Sequence, residues 1–277
     1  MKLDFVIIGA EKSGTTLLVE LLRRSPQVAM PKIEVRYFRD PFYPERERSD
    51  VYFDAEDSER LKRIKHPSYL GRPEVPGRIK EHSPNAKLVA ILRDPVARTL
   101  ASYLHYIRHG QIPCLHPNIG ISALFADPHA SPKYGDIISF GYYSKFLGLY
   151  LDLFRREQIL VIELEEFIRT PTGLRDLFAF LGVTTRPAGL WPLPLVNSGD
   201  YNWGRCQQAH YEARHRLVYD ESANIIGIRR DAVPVPRCSF DRQSCELSPE
   251  VRALVAQCYA GECEALRNLG LLHPRHW

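Results

Sequence analysis

A glycine-containing loop near the start of the sequence has residue types suited to binding phosphate. The loop reads Gly9, Ala10, Glu11, Lys12, Ser13, Gly14, Thr15 and Thr16. Its GxxxxG spacing, after an apolar run and before a helical pattern, is typical of a P-loop, whose backbone N–H groups hold phosphate oxygens. Nucleoside triphosphatases carry lysine where this chain has Thr15, and Lys12 supplies a cation inside the loop instead. An ordinary strand-to-helix turn is the alternative, but the hydroxyls of Ser13, Thr15 and Thr16 favour phosphate.

A second candidate anion site lies at Arg93. Residues 86–92 have the pattern of a buried strand, so Arg93 is expected at the carboxyl end of that strand, where open α/β sheets place ligands. Asp94 and Pro95 supply an N-cap and a first-turn proline for a helix whose N-terminus attracts anions. A local salt bridge between Arg93 and Asp94 is the alternative. Two anion sites at two strand ends suit a nucleotide phosphorylated at both ends.

Short apolar runs alternate with helical patterns along most of the chain. Strands are predicted at residues 5–8, 27–30, 86–92 and 158–163, and helices at 15–25, 56–65, 74–82, 94–109, 146–154, 174–181 and from 248 onward. The alternation predicts the α/β class, a P-loop-like doubly wound parallel sheet with helices on both faces and a single domain over residues 1–277. We expect a loop or lid at 110–139 and irregular structure at 183–246, an acceptor-site insertion.

The composition excludes several classes of protein. The chain has 277 residues, 44% hydrophobic and 25% charged, with a formal net charge of +4. No run of like charges indicates nucleic-acid binding. No segment resembles a signal peptide or a transmembrane helix, so a cytoplasmic location is expected. The six cysteines lack zinc-site spacing, so no metal is expected, and for Cys238 and Cys245 free thiols are preferred over a bridge in an oxidising compartment.

Several motifs, taken in order, resemble those of the sulfotransferases that depend on 3'-phosphoadenosine 5'-phosphosulfate (PAPS). The resemblance is to the carbohydrate group, which includes heparan sulfate sulfotransferases and bacterial relatives. Residues 4–24 resemble the family's 5'-phosphosulfate loop and helix, and residues 86–103 resemble its 3'-phosphate strand, loop and helix. Further similar segments are 66–70, 78–80, 141–167 and the closing helix with a terminal tryptophan at 247–277. The resemblance implies sulfuryl transfer from PAPS to a hydroxyl of a carbohydrate or natural-product acceptor.

The resemblance also implies roles for single residues. Glu34 matches the base that takes the proton of the acceptor hydroxyl, which barely ionises at neutral pH. Lys12 matches the lysine that stabilises charge on the bridging oxygen, and Lys65 matches one that some carbohydrate members place near the acceptor. The donor-binding residues implied are Lys12, Ser13, Gly14, Thr15, Thr16, Arg93, Ser102, Tyr143 and Arg205.

Two of these donor contacts depart from the family pattern. The serine partner of Arg93 is expected eight positions later, where this chain has Ala101. Ser102 comes next, but one step along a helix turns a side chain by about 100°. The family's late basic loop is replaced by residues 196–205, in which Arg205 is the candidate ligand and a structural or acceptor-facing role is the alternative.

Other readings of the same motifs remain open. One is a P-loop small-molecule kinase. Thr15 in the lysine position counts against a kinase, and so does the lack of a magnesium-binding aspartate at the end of the strand at 86–92. Another is a catalytically silent nucleotide-binding protein on the same fold. A histidine base is not favoured by the positions of His82, His105 and His109. Acceptor stacking is possible for Trp191, Tyr201 and Trp203, although aromatic residues are more often core.

Overall fold

A parallel sheet forms the centre of the protein. The structure, a computed structural model, describes residues 2–31, 34–41, 43–44, 53, 60–129, 131, 133–184, 192–193, 211–219, 225–234, 237–240, 245–271 and 277. The strands of the sheet are β1 (Phe5–Gly9), β2 (Val28–Ala29), β3 (Leu61–Lys65), β4 (Lys87–Leu92) and β5 (Ile159–Glu163). Their spatial order is β2-β3-β1-β4-β5, and every neighbouring pair is parallel. The chain order therefore reverses between β1 and β4, the position at which doubly wound sheets open a ligand crevice.

Helices cover both faces of this sheet. They are α1 (Thr15–Arg23), α2 (Val75–His82), α3 (Pro95–Arg108), α4 (Pro117–Ala126), α5 (Tyr134–Ile137), α6 (Tyr143–Leu151), α7 (Leu164–Phe167), α8 (Pro171–Leu181), α9 (Pro249–Cys258) and α10 (Glu262–Asn268). Side chains alternate along β1, so Val6 and Ile8 pack with α2 and α6 while Phe5 and Ile7 pack with α1 and α8. Of the helices in the described ranges, none is both long and apolar enough to cross a bilayer. The α/β class with helices on both faces is confirmed.

Local signals fix the ends of several predicted helices. The Asp94 carboxylate accepts a hydrogen bond of 2.9 Å from the Val96 N–H, and Pro95 occupies the first turn of α3. Gly182 ends α8 in the left-handed conformation, with φ of 75°. Ser248 caps α9 by accepting from the Val251 N–H at 3.4 Å. These boundaries follow from short-range chemistry, which is why the sequence predicts them well.

The helix predicted for residues 56–65 is wrong over its described part, because residues 61–65 form strand β3. This strand lies between β1 and β2, so its backbone groups are used by two neighbours. Arg63 is buried there, with its guanidinium carbon 5.6 Å from the centre of the Phe5 ring. The charges of β3 resemble those of an exposed helix, and pairing within the sheet overrides that local preference. Residues 56–59 lie outside the described residues.

The loop predicted for residues 110–139 contains helices α4 and α5. The His116 side chain caps α4 by accepting from the Asn118 N–H at 3.3 Å, and Pro117 occupies the first turn. Gly120 lets α4 approach α3 closely, since a Cβ there would lie 1.7 Å from the Tyr103 hydroxyl oxygen. The sequence lacks helical apolar periodicity here because α4 buries small residues as well as large ones.

Residues 183–246 also contain regular structure that was not predicted. Strands β6 (Tyr211–Tyr219) and β7 (Ile225–Pro234) form an antiparallel pair, with Ala213 opposite Ala232. The prediction of irregular structure is therefore wrong for these two ranges. Its error comes from the prolines and charges of the region, which obscure the alternation along each strand.

A disulfide joins Cys114, which follows α3, to Cys238. Their Cα atoms are 5.6 Å apart. This bond excludes the Cys238–Cys245 bridge considered from the sequence, and it contradicts the preference for a free thiol at Cys238.

Candidate active site

The candidate phosphate-binding loop, residues 9–16, lies at the carboxyl end of β1, beside the end of β4. The Ala10 N–H donates to the Ile91 carbonyl at 2.8 Å, which ties the loop to β4. Gly14 precedes α1 with φ of 91°, and a Cβ there would lie 2.9 Å from a methyl carbon of Leu164. Only glycine meets both conditions without strain. The first N–H groups of α1 lack intrahelical acceptors, and together with the helix dipole they are suited to binding an anion.

Lys12 is held within this loop in a left-handed conformation, with φ of 65°. Its Nζ lies 3.2 Å from Nδ1 of His105 on α3. Burial lowers the pKa of Lys12 to about 8, and the Glu11 and Glu34 carboxylates oppose that shift. Lys12 is thus a constrained cation whose charge responds to pH in the physiological range.

Helix α3 also holds the loop at Glu11. The Tyr106 hydroxyl donates to a carboxylate oxygen of Glu11 at 3.0 Å. Burial raises the pKa of Glu11, and the hydrogen bond from Tyr106 opposes this rise. Two successive residues of α3, His105 and Tyr106, therefore contact two successive residues of the loop.

Glu34 and Lys65 form an ion pair next to this loop. The Val35 N–H donates to the Lys65 carbonyl at 3.2 Å, which fixes the glutamate-bearing segment beside the end of β3. The Lys65 side chain is only 8% exposed, whereas that of Glu34 is 51% exposed. The lysine is thus enclosed by the protein, while the carboxylate is open to an approaching molecule. Both charges also act on Lys12, so the three sequence-predicted residues are brought together.

Arg93 and Ala101 border a small open pocket at the carboxyl end of β4. The pocket is lined by Arg93, Val96, Ala97, Leu100, Ala101, Leu247 and Arg252. The Arg93 carbonyl accepts a hydrogen bond of 2.9 Å from the Tyr143 hydroxyl. Glu165 accepts from the Asp94 N–H at 3.3 Å and from the indole N–H of Trp277 at 3.3 Å. These contacts fix the backbone that carries Arg93.

Some predicted donor contacts are not placed at this pocket. Ser102 is buried, and its hydroxyl donates to the Asp136 carbonyl at 3.5 Å instead. The one-residue offset from Ala101 turns it away from the pocket, as helix geometry requires. Tyr143 is fully buried with its ring 5.7 Å from that of Trp277, so it supports the Arg93 backbone and offers no free ring face.

The remaining predicted residues lie either in the loop or outside the described residues. Ser13 and Thr15 are buried and Thr16 is partly buried at the start of α1. Arg205, Trp191, Tyr201 and Trp203 lie outside the described residues. Among the residues that are described, no group of three or more His, Cys, Asp or Glu side chains is arranged to hold a metal ion.

Sequence reasoning missed three residues at the site. His105 contacts Lys12, although its position in the sequence does not favour a catalytic role. Glu165 accepts a hydrogen bond from the Asp94 N–H, and Arg252 lines the same pocket as Arg93. Both residues come from distant parts of the chain. His105 could have been found from its helix, since it lies one turn beyond Ala101. No local signal marks Glu165 or Arg252.

Comparisons with known proteins agree with this architecture. A family model described as "Sulfotransferase domain" matches residues 2–192. The mouse heparan sulfate glucosamine 3-O-sulfotransferase 3B1 is 29% identical over 182 residues, covering 64% of this chain and 45% of that protein. Its human counterpart is 30% identical over 187 residues, with 64% and 45% covered. The chain thus spans less than half the length of these relatives.

A solved structure shares the fold over nearly the whole chain. The sulfotransferase from Alicyclobacillus acidocaldarius superposes with a TM-score of 0.64 at 24% identity, covering 97% of this chain and 96% of that one. At this identity the likeness shows the fold. The family model, by contrast, covers more than half of the chain and includes both the Lys12 loop and the Arg93 strand. The chain therefore belongs to the sulfotransferase family.

Proposed function

We propose that the protein transfers a sulfuryl group from PAPS to a hydroxyl of a carbohydrate or a glycosylated natural product. The observation that carries this proposal is the grouping of Lys12 with the Glu34–Lys65 ion pair at the sheet edge that also bears Arg93. The grouping combines an anion-binding loop, a charged carboxylate open to solvent and a second cationic pocket. Relatives named as heparan sulfate glucosamine 3-O-sulfotransferases support a sugar as the acceptor class.

The chain's own residues fit a donor with phosphate at both ends. The N–H groups at Gly14 and the start of α1 would hold the 5'-phosphosulfate, and Arg93 would hold the 3'-phosphate. These sites follow β1 and β4, which are adjacent strands. Thr15 stands where a triphosphate enzyme needs lysine, which favours PAPS over ATP. When bound, PAPS supplies an activated sulfuryl group.

The reaction assigns a separate task to each of three side chains. The acceptor oxygen forms a bond to sulfur as the bond from sulfur to the bridging phosphate oxygen breaks in line. Glu34 takes the proton of the acceptor hydroxyl. Lys12 stabilises the negative charge that develops on the bridging oxygen. Lys65 orients the Glu34 carboxylate through their ion pair.

Ligand-induced stabilisation separates this proposal from a P-loop kinase. A ligand that binds only the folded state raises the melting temperature. We expect PAPS, or the product 3'-phosphoadenosine 5'-phosphate (PAP), to raise it in differential scanning fluorimetry, and ATP with magnesium to have little effect. Stabilisation by ATP with magnesium but not by PAP would reject the proposed donor.

Donor affinity should decrease as pH rises through the pKa of Lys12. That pKa is about 8 in the free protein, and a bound anion favours the charged form. Below the pKa, Lys12 is already charged and binding is strongest. Above it, binding must take up a proton, so the Kd of PAP should rise with pH, by about tenfold or less in total.

Calorimetry between roughly pH 7 and pH 9 measures this dependence. Repeating the titrations in two buffers of different ionisation enthalpy reports the proton uptake directly. The Lys12→Met variant should bind PAP with a flatter pH profile and without that uptake. A wild-type Kd that is constant across the range would exclude Lys12 from contact with the donor's anionic end.

A further inference from the structure

A second arginine, Arg252, lines the pocket at Arg93. Arg93 extends from the end of β4 and Arg252 from the first turn of α9, and both line the pocket. Neither guanidinium has a hydrogen-bond or ion-pair partner in the part of the chain that the structure describes. The rest of the lining is apolar: Val96, Ala97, Leu100, Ala101 and Leu247. Within the described residues, two positive charges therefore line one pocket and neither has a carboxylate partner.

This arrangement is unfavourable in the free protein and favourable around an anion. Like charges that line the same pocket repel one another. The planar guanidinium fork matches phosphate oxygens and binds them with charge-assisted hydrogen bonds. Two arginines also match the double negative charge of a phosphate monoester near neutral pH. The pocket thus has the chemistry of a monoester site.

The position of Arg252 is fixed by the packing of α9 against α3. The Thr99 and Tyr259 hydroxyls lie 3.0 Å apart, and the Tyr259 hydroxyl donates to the Ile138 carbonyl at 2.7 Å. At the other end of α9, the Ser248 N–H donates to the side-chain oxygen of Asn118 at 2.9 Å. These bonds anchor both ends of the helix, so the backbone of Arg252 is held facing the pocket.

We propose that Arg252 is a donor-binding residue that holds the 3'-phosphate together with Arg93. The methyl group of Ala101 cannot donate a hydrogen bond, and it leaves space on the pocket wall where a serine hydroxyl would otherwise reach the phosphate. A long arginine from α9 supplies a donor in its place. This inference rests on the proposed function, because the 3'-phosphate belongs to PAPS.

Calorimetry with PAP and with AMP tests the proposal, because AMP lacks only the 3'-phosphate. The Arg252→Gln variant should weaken PAP binding by about tenfold or more, the loss expected for one charge-assisted hydrogen bond. Its affinity for AMP should equal that of the wild type, which also shows that the variant is folded. Arg267→Gln, which removes an exposed arginine from α10, is the matched control and should bind PAP normally.

A rescue variant locates the effect at the phosphate. Adding Ala101→Ser to Arg252→Gln should restore part of the lost PAP affinity and leave AMP binding unchanged. Wild-type PAP affinity in Arg252→Gln would overturn the inference, and so would an equal loss of PAP and AMP affinity. A wild-type protein that binds no PAP would instead overturn the proposed function, so the two failures are distinguishable.

Discussion

Replacing Lys12 with methionine should lower the rate of sulfuryl transfer by about 10²- to 10³-fold, the effect of removing one preorganised charge from a transition state. The Kd of PAP near neutral pH should change far less, by about tenfold or below, because the N–H groups of the loop and Arg93 remain. Lys12 is fixed by its backbone conformation and by the contact with His105, so its charge is held at one position in the loop. Single-turnover kinetics with PAPS and calorimetry with PAP measure the two quantities separately.

Two companion variants make this result specific to Lys12. Lys2→Met removes an exposed lysine that precedes β1, at the opposite edge of the sheet, and should retain the wild-type rate. Lys12→Arg keeps the charge but changes its position, and should fall between the wild type and Lys12→Met. If Lys12→Met transferred sulfate at the wild-type rate, Lys12 would have no part in the chemistry.

Replacing Glu34 with glutamine should abolish most of the transfer while leaving donor binding intact. Removal of a general base typically costs about 10²- to 10⁴-fold in rate. Glutamine has nearly the same size and can still accept a hydrogen bond from Lys65, so the geometry of the pair is preserved. The melting temperature should fall slightly, since the largely buried Lys65 loses its counter-charge. Single-turnover transfer, PAP calorimetry and a melting curve are the three measurements.

Glu20→Gln is the matched control for Glu34. It removes an exposed carboxylate on α1 that pairs with Arg23, three residues away on the same helix. We expect wild-type transfer from it, because surface ion pairs contribute little. Undiminished transfer by Glu34→Gln would remove Glu34 as the base, and His105 beside Lys12 would then be the next residue to substitute.

The parts of the fold that the sequence predicts are those determined by neighbours along the chain. The strand at β4 and the cap at Asp94 are examples, since an apolar run and a two-residue signal suffice to place them. Strand β3 is the opposite case, because Arg63 becomes buried only through its position between β1 and β2. Helix α4 was missed although His116 and Pro117 repeat the pattern of Asp94 and Pro95, with a histidine as the cap.

The same distinction applies to the candidate site. The loop around Lys12 and the strand before Arg93 were predicted because each motif is continuous in sequence. The disulfide partner of Cys238 and the role of Arg252 depend on which distant segments pack together, so no local pattern indicates them. Resemblance to a family suggests Glu34 as a base, whereas its ion pair with Lys65 depends on how distant segments pack together.

Mass spectrometry of sugar acceptors incubated with PAPS tests the central proposal most directly. The panel should include glucosamine-containing oligosaccharides and glycosylated natural products, each with wild-type protein, Lys12→Met and Glu34→Gln. We predict that at least one acceptor gains the mass of one SO₃ group with the wild type, in step with the release of PAP, and that both variants lose this product. Acceptors that remain unmodified with PAPS but gain a phosphoryl group from ATP and magnesium would contradict the proposal.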